Sequence, residues 1–272
     1  MHSDWNAVVY PPVKPRGFHP LEHLSQLLDV VEIDCSFHRP LRPELSKLWI
    51  GKVAHNPKFM FTALLGRAFT YDRNLDADAV RSFNDGLRPL RASGKLGCLL
   101  MRFPWSFRFT RENRDFLIEL RRSFHEFPLV AEMRHASWML DEALGTLMDY
   151  RIGFCNVDQP DGVRAMPPDA IITSPVSYVR LLGRNGGDWT AEETAADYLY
   201  TPRELGCWQT RIERLRAHSS ATFVVTANHS GGKAVVNALQ LKSMLQETTA
   251  PPRRRPSLPP RRENLVPMLL RA

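Results

Sequence analysis

Short apolar runs, several of them rich in β-branched residues, recur along this chain with amphipathic stretches between them. Seven runs read as strands: Val31–Phe37, Phe59–Leu65, Leu96–Phe103, Leu129–His135, Ile152–Asp158, Val176–Gly183 and Ala221–His229. Helical spacing links them at Leu21–Leu28, Pro43–Ala54, Ala77–Ala92, Arg111–Phe127, Met139–Tyr150, Pro202–His218 and Gly232–Gln246. Thr110 and Thr201 stand where N-caps belong, the second followed by proline at the first helical position. Strands separated by helices predict parallel pairing with right-handed crossovers, hence an α/β fold of the TIM-type (β/α)8 class. The eighth strand has to precede the first helix, where residues 1–6 are read as a shortened first strand. The stretch Gln159–Pro175, with four prolines, predicts a crossover without a helix.

Alternation at period two assigns faces to each strand. It turns Glu32 and Asp34, Arg102, Glu132 and Arg134, Asn156 and Asp158, Tyr178 and Arg180, and Thr226 and Asn228 toward the barrel axis. Four acids and three arginines in a low-dielectric lumen have to pair or face a wet cavity, because an isolated buried ion costs several kcal/mol. A polar network near the strands' C-terminal ends is therefore predicted, at the face where such barrels build their sites.

Composition changes this picture in one place. The formal charge is +7, yet residues 250–272 hold six arginines against one acid, so the other 249 residues carry only +2. That Pro/Arg-rich tail is expected to be disordered and distinct from a barrel domain spanning residues 1–249. No apolar run approaches the roughly 18 residues a membrane helix needs, and the start lacks the pattern of a secretory signal. Cys35, Cys98, Cys155 and Cys207 are widely spaced with no CxxC pair, as expected for free thiols in a reducing cytoplasm.

The stretches VEIDCSFHRP (31–40), FMFTALLGRAFT (59–70), GKLGCLLMRFPWSF (94–107), VAEMRHASW (130–138), NVDQP (156–160), SYVRLLGRN (177–185), DYLY (197–200) and ANHSGGKAVVNALQLK (227–242) carry a resemblance. In this order they resemble the domain of unknown function 72 family, the YecE-like proteins, and the resemblance implies a TIM-type barrel without implying a reaction. The chain departs from that pattern at Leu64, where the family usually has lysine, and at Tyr71 and Leu182, where it usually has histidine. Its initial Gly-Trp strand corresponds here to Ser3-Asp4-Trp5, and Arg102 replaces a glutamine.

Arginine forks suit phosphate and carboxylate. Arg39, Arg67, Arg134, Arg180 and Arg184 fall at or just after strand ends, and Asp158 and Asn228 join them in a predicted binding set. Glu32, Glu132 and His135 are the candidate acid/base groups. The leading expectation is an anionic ligand, either a small phosphorylated molecule or a nucleic-acid phosphate, with no cofactor and no metal. The alternative is a non-catalytic adaptor contacting nucleic acid or an acidic partner through the tail. Glu32 and Glu132 also satisfy the two-carboxylate requirement of glycoside hydrolysis, a weaker reading beside so many arginines. Ser230-Gly-Gly-Lys233 reads either as a phosphate cradle at a helix start or as a plain turn. There is no GxGxxG after a strand, no GxxxxGK[ST] and no GxSxG.

Overall fold

The structure, a computed structural model, describes residues 3–160, 166–185 and 196–249. Seven parallel strands form one sheet in chain order: β1 (Val30–Ile33), β2 (Met60–Leu64), β3 (Leu96–Arg102), β4 (Leu129–Glu132), β5 (Gly153–Asp158), β6 (Val176–Leu181) and β7 (Ala221–Thr226). The helices are α1 (Pro20–Leu27), α2 (Cys35–His38), α3 (Pro43–Lys52), α4 (Arg67–Thr70), α5 (Ala77–Ala92), α6 (Arg111–Ser123), α7 (Asp141–Asp149), α8 (Pro202–His218) and α9 (Lys233–Thr249). The result is a nearly closed TIM-type barrel. Each strand pairs with its sequence neighbours, and β1 and β7 form the two edges.

Of the expected eighth strand, the described residues 3–6 supply no part. Ser3–Trp5 is a single 3-10 turn, and Asn6 bridges only to Tyr10. The cause is long-range bonding: the Trp5 Nε1–H donates to the His229 carbonyl (2.7 Å), and the Gly231 N–H donates to Asp4 Oδ2 (2.7 Å). These bonds lay the segment across the loop after β7 instead of along the strand. Met1 and His2 lie outside the described residues.

Caps and patterning explain the helix boundaries. Thr201 and Glu204 form a reciprocal capping box at the start of α8, with Pro202 at its first position. The Thr110 hydroxyl accepts from the Asn113 N–H, and Asp76 accepts from the first N–H groups of α5. Residues 166–175 contain no helix, as the proline spacing predicts.

Two apolar layers hold the strands. Outward residues such as Phe61, Ala63, Leu99, Met101, Leu129 and Ala131 pack on Phe83, Leu87, Leu117 and Leu120 of α5 and α6. Inward, Leu64, Cys98, Leu100, Val130, Cys155, Val157, Tyr178 and Phe223 fill the lower lumen. Phe223 reaches Gly97 on β3, where any Cβ would lie 2.2 Å from its ring. The lumen is therefore apolar below and polar above. The polar end is at the C-terminal rim.

The strands stop earlier than the apolar runs do. Asp34 adopts helical backbone as the N-cap of α2, and β4 ends at Glu132, so Arg134 and His135 lie in the loop above it.

Candidate functional site

Alternation delivers Glu32 from β1, Arg102 from β3, Glu132 from β4 and both Tyr178 and Arg180 from β6 to one place inside the rim. Glu132 is fully buried. Its Oε1 accepts from Arg134 Nε (3.1 Å) and Nη2 (2.8 Å), and its Oε2 accepts from Arg180 Nη1 (2.9 Å). Arg102 Nε stands 3.9 Å from Oε1. Burial, the largest influence, would raise the Glu132 pKa, but Arg180, Arg134 and Arg102 together outweigh it and hold the carboxyl down at about 2.

Arg180 carries a second carboxylate on its other arm, with Nη2 3.0 Å from Glu32 Oε1. Tyr178 donates its hydroxyl to Glu32 Oε2 (2.7 Å) and stands 2.9 Å from Thr62 Oγ1, which must then supply the proton between them. Burial and the Glu32 charge push the Tyr178 phenol well above its usual range. For Arg180, burial opposes the charge, yet Glu32 and Glu132 raise its pKa well above the ordinary guanidinium value. Arg102 moves the other way, lowered by burial and by the like charge of Arg180.

Among the described residues, three guanidinium groups thus surround two carboxylates. Asp34 lines the same cavity but is exposed, where water screens it. The cavity measures about 680 Å³. Behind Arg102, which lines the cavity, two rings follow in turn: Arg102 lies over Phe37 (5.1 Å), Phe37 meets Tyr71 edge to face (5.6 Å), and Arg67 lies over Tyr71 (5.3 Å). Arg67 and Arg39 are themselves exposed, at the start of α4 and the end of α2. His135 caps the turn Ala136–Met139 by accepting the Ser137 N–H at Nδ1 (3.1 Å), and its ring packs on Trp105 (4.9 Å). A ring that accepts at Nδ1 carries its neutral-form proton on Nε2.

Asp158 and Asn228 require correction. Cys155 and Val157 occupy the lumen, so Asn156 and Asp158 point outward. Arg184 grips both Asp158 oxygens from Nε and Nη2 (2.9 Å each), and the Trp208 indole N–H also donates to Asp158. Asn228 donates to the Tyr198 carbonyl (2.7 Å) and to Asn237 Oδ1 (2.8 Å), while Thr226 bonds the Ala234 carbonyl (2.9 Å). Asp158, Arg184 and Asn228 are clamps between the sheet and its outer layer. Ser230-Gly-Gly-Lys233 is likewise no open cradle, because Asp4 takes the Gly231 N–H and Asp197 takes the Lys233 ammonium.

The binding set read from the sequence omitted Arg102 and Tyr178. Parity had already sent Arg102 and Tyr178 inward; only their pairing was hidden. Among the described residues no cluster of three or more His, Cys, Asp or Glu could hold a metal, and no helix is long and apolar enough to cross a membrane.

Comparisons with known proteins agree with this architecture. A DUF72 family protein from Thermotoga maritima has 30% identity to the chain and a TM-score of 0.78, covering 89% of this chain and 95% of that one. One from Enterococcus faecalis, at 24% identity, gives a TM-score of 0.77 with 84% and 88% covered. The UPF0759 protein YunF of Bacillus subtilis is 24% identical over 254 residues, 87% of this chain and 90% of that protein. Residues 1–263 match the family described as "Protein of unknown function DUF72". With its barrel and its sequence both matched along nearly the whole length, the chain belongs to the DUF72 family.

Proposed function

We propose that the rim of the barrel binds a small anionic ligand, most simply a phosphorylated molecule, through Arg102 and the Arg134–Glu132–Arg180–Glu32 network. The observation that carries this reading is the convergence of Arg102, Arg134 and Arg180 on one open cavity at the rim. Guanidinium forks fixed around a partly dry cavity favour an anion. Leu64 and Leu182 reinforce a binding role over proton transfer. Both present apolar carbon to the lumen, and neither can titrate.

Any acid/base chemistry falls to Glu32 or His135. Glu132, saturated by guanidinium N–H donors and held at about pKa 2, cannot donate a proton near neutrality. Arg180 bonds both carboxylates, in the space a glycoside would need between them, so two-carboxylate hydrolysis fits poorly. The unpaired thiols Cys98 and Cys155, both buried, fit a reducing compartment such as the cytoplasm.

A thermal-shift screen of phosphorylated metabolites against the full chain tests the proposal. A ligand should raise the melting temperature, and Arg102→Met should abolish that rise while Asp158→Asn keeps it. A rise indifferent to Arg102→Met removes the rim from consideration. The second reading, nucleic-acid binding, rests on the six tail arginines. Oligonucleotide affinity that vanishes when Arg253, Arg254, Arg255, Arg261 and Arg262 become serine in the full chain assigns it to the tail.

A further inference from the structure

The rim cavity has a second, apolar arm at the joint between β1 and β7. Among the described residues no ladder closes this joint. Val30, Glu32 and Val225 face the lumen while Val31 and Val224 face the outer layer, and all five line the same cavity. The cavity therefore reaches from the polar interior to the outside of the sheet. In its outer arm Leu24 and Leu28 form one wall, and Ala238, Leu241 and Leu245 of α9 form the other. These three recur every three or four residues, so they make one stripe along the helix.

Packing in this arm is incomplete. Nearly every residue of β3 to β6 is buried, whereas Val31, Val224, Leu28, Ala238 and Leu245 stay half-buried although they face one another. Apolar side chains that leave the space between them unfilled make a slot that favours an apolar guest over water. The inner arm has the opposite chemistry, bordered by Arg102, Arg134 and Arg180.

We propose that the cavity binds a single-chain alkyl or acyl phosphate, with its head on those arginines and its chain in the slot between α1 and α9. The inference rests on the reading of the rim as an anion site and adds the uncharged part of the ligand. Charge complementarity fixes the orientation, because guanidinium forks take phosphate and a hydrocarbon stripe does not. The chain length is bounded as well. Lys242 bonds Asp29 (3.0 Å), and both line the cavity, so the far end of the slot is polar. From Val235 to Leu245 the helix advances roughly 15 Å, which an extended chain of about ten to twelve carbons spans. The cavity of about 680 Å³ lies within the range of small-molecule sites, roughly 300–1,000 Å³. The space is already present, so neither strand edge has to move and the Arg180–Glu32 bond stays in place.

Calorimetric titration of the full chain with inorganic phosphate and with butyl, octyl, decyl and hexadecyl phosphate, each below its micelle concentration, tests the proposal. Affinity should rise about threefold to fourfold per added methylene up to decyl phosphate, and hexadecyl phosphate should continue that rise no further. Ala238→Trp and Leu245→Asp should each remove the gain of decyl over butyl phosphate while butyl phosphate binds as before. Decyltrimethylammonium should bind at least about tenfold more weakly than decyl phosphate. Butyl and decyl phosphate binding equally would overturn the slot and leave the rim site standing, as would a chain-length gain that survives both slot variants. Silence from every phosphate overturns the rim site and the slot together. Decyl phosphate binding that is indifferent to Arg102→Met, or matched by decyltrimethylammonium, overturns the assignment of the head.

Discussion

Arg180 places one nitrogen 2.9 Å from Glu132 and the other 3.0 Å from Glu32, so a single guanidinium ties two strands on opposite sides of β6. Removing that arm strands a fully buried carboxylate. Arg180→Met should destabilise the fold by about 3–5 kcal/mol in urea denaturation. Adding Glu132→Gln should recover part of the loss. Additive penalties in a double-mutant cycle would show the pair to be uncoupled.

The same carboxylate predicts a response to acid. Its folded pKa of about 2 lies below that of an unfolded glutamate, so its contribution is present above about pH 5 and is lost as pH falls toward 2. Roughly 3 kcal/mol of stability should disappear across that window, an order-of-magnitude figure. Glu132→Gln should flatten the acid limb of the stability profile.

Asp158 and Arg102 should separate cleanly. Asp158→Asn weakens the Arg184 clamp and the Trp208 bond, so it should cost about 1–3 kcal/mol of stability with ligand affinity retained. Arg102→Met should do the reverse, sparing stability and removing ligand binding. Calorimetric titration alongside thermal unfolding reads both.

Gly97→Ala drives a methyl into the Phe223 ring and should cost about 1–3 kcal/mol. Phe223→Leu in the same chain should restore part of it. A Gly97→Ala variant melting like the parent would mean that Phe223 does not hold this position.

Thiol labelling gives a fourfold check. Cys35 and Cys207 are exposed and should react in the native state, whereas Cys98 and Cys155 should react only on unfolding. Burial raises both buried thiols, and it raises Cys35 as well, so Cys35 should label more slowly than a free thiol in solution.

Most of the barrel was legible because its strands obey alternation strictly. Glu32, Glu132, Arg134, Arg102 and Arg180 could be sent inward by parity alone. Parity misled at Asp158 and Asn228 for a physical reason. Where a helix covers a strand, the outward face is apolar, and polar residues on such a strand must point in. Beside β5 the cover is irregular chain, and buried backbone there needs partners. Asn156 supplies them to Ile171 (2.8 and 3.0 Å), and the Asn228–Asn237 pair serves Tyr198 and Tyr200 in the same way. The prolines predict no helix after β5, and the described residues 166–175 hold none; prolines alone do not show that this reverses the polarity of the strand beneath. The idle first strand escaped notice because Asp4 and Trp5 owe their placement to a loop more than 220 residues away.

The circuit of strands also bears on how the rim keeps its girth. Among the described residues, backbone bonds run unbroken from β1 round to β7 and stop there. From β6, the Arg180 and Tyr178 side chains reach past β7 to Glu32 and complete the hoop. The diameter of the opening is therefore set by charge at one joint and by amide bonding everywhere else. Concentrated salt, or an anion that competes for Arg180, should loosen that joint first.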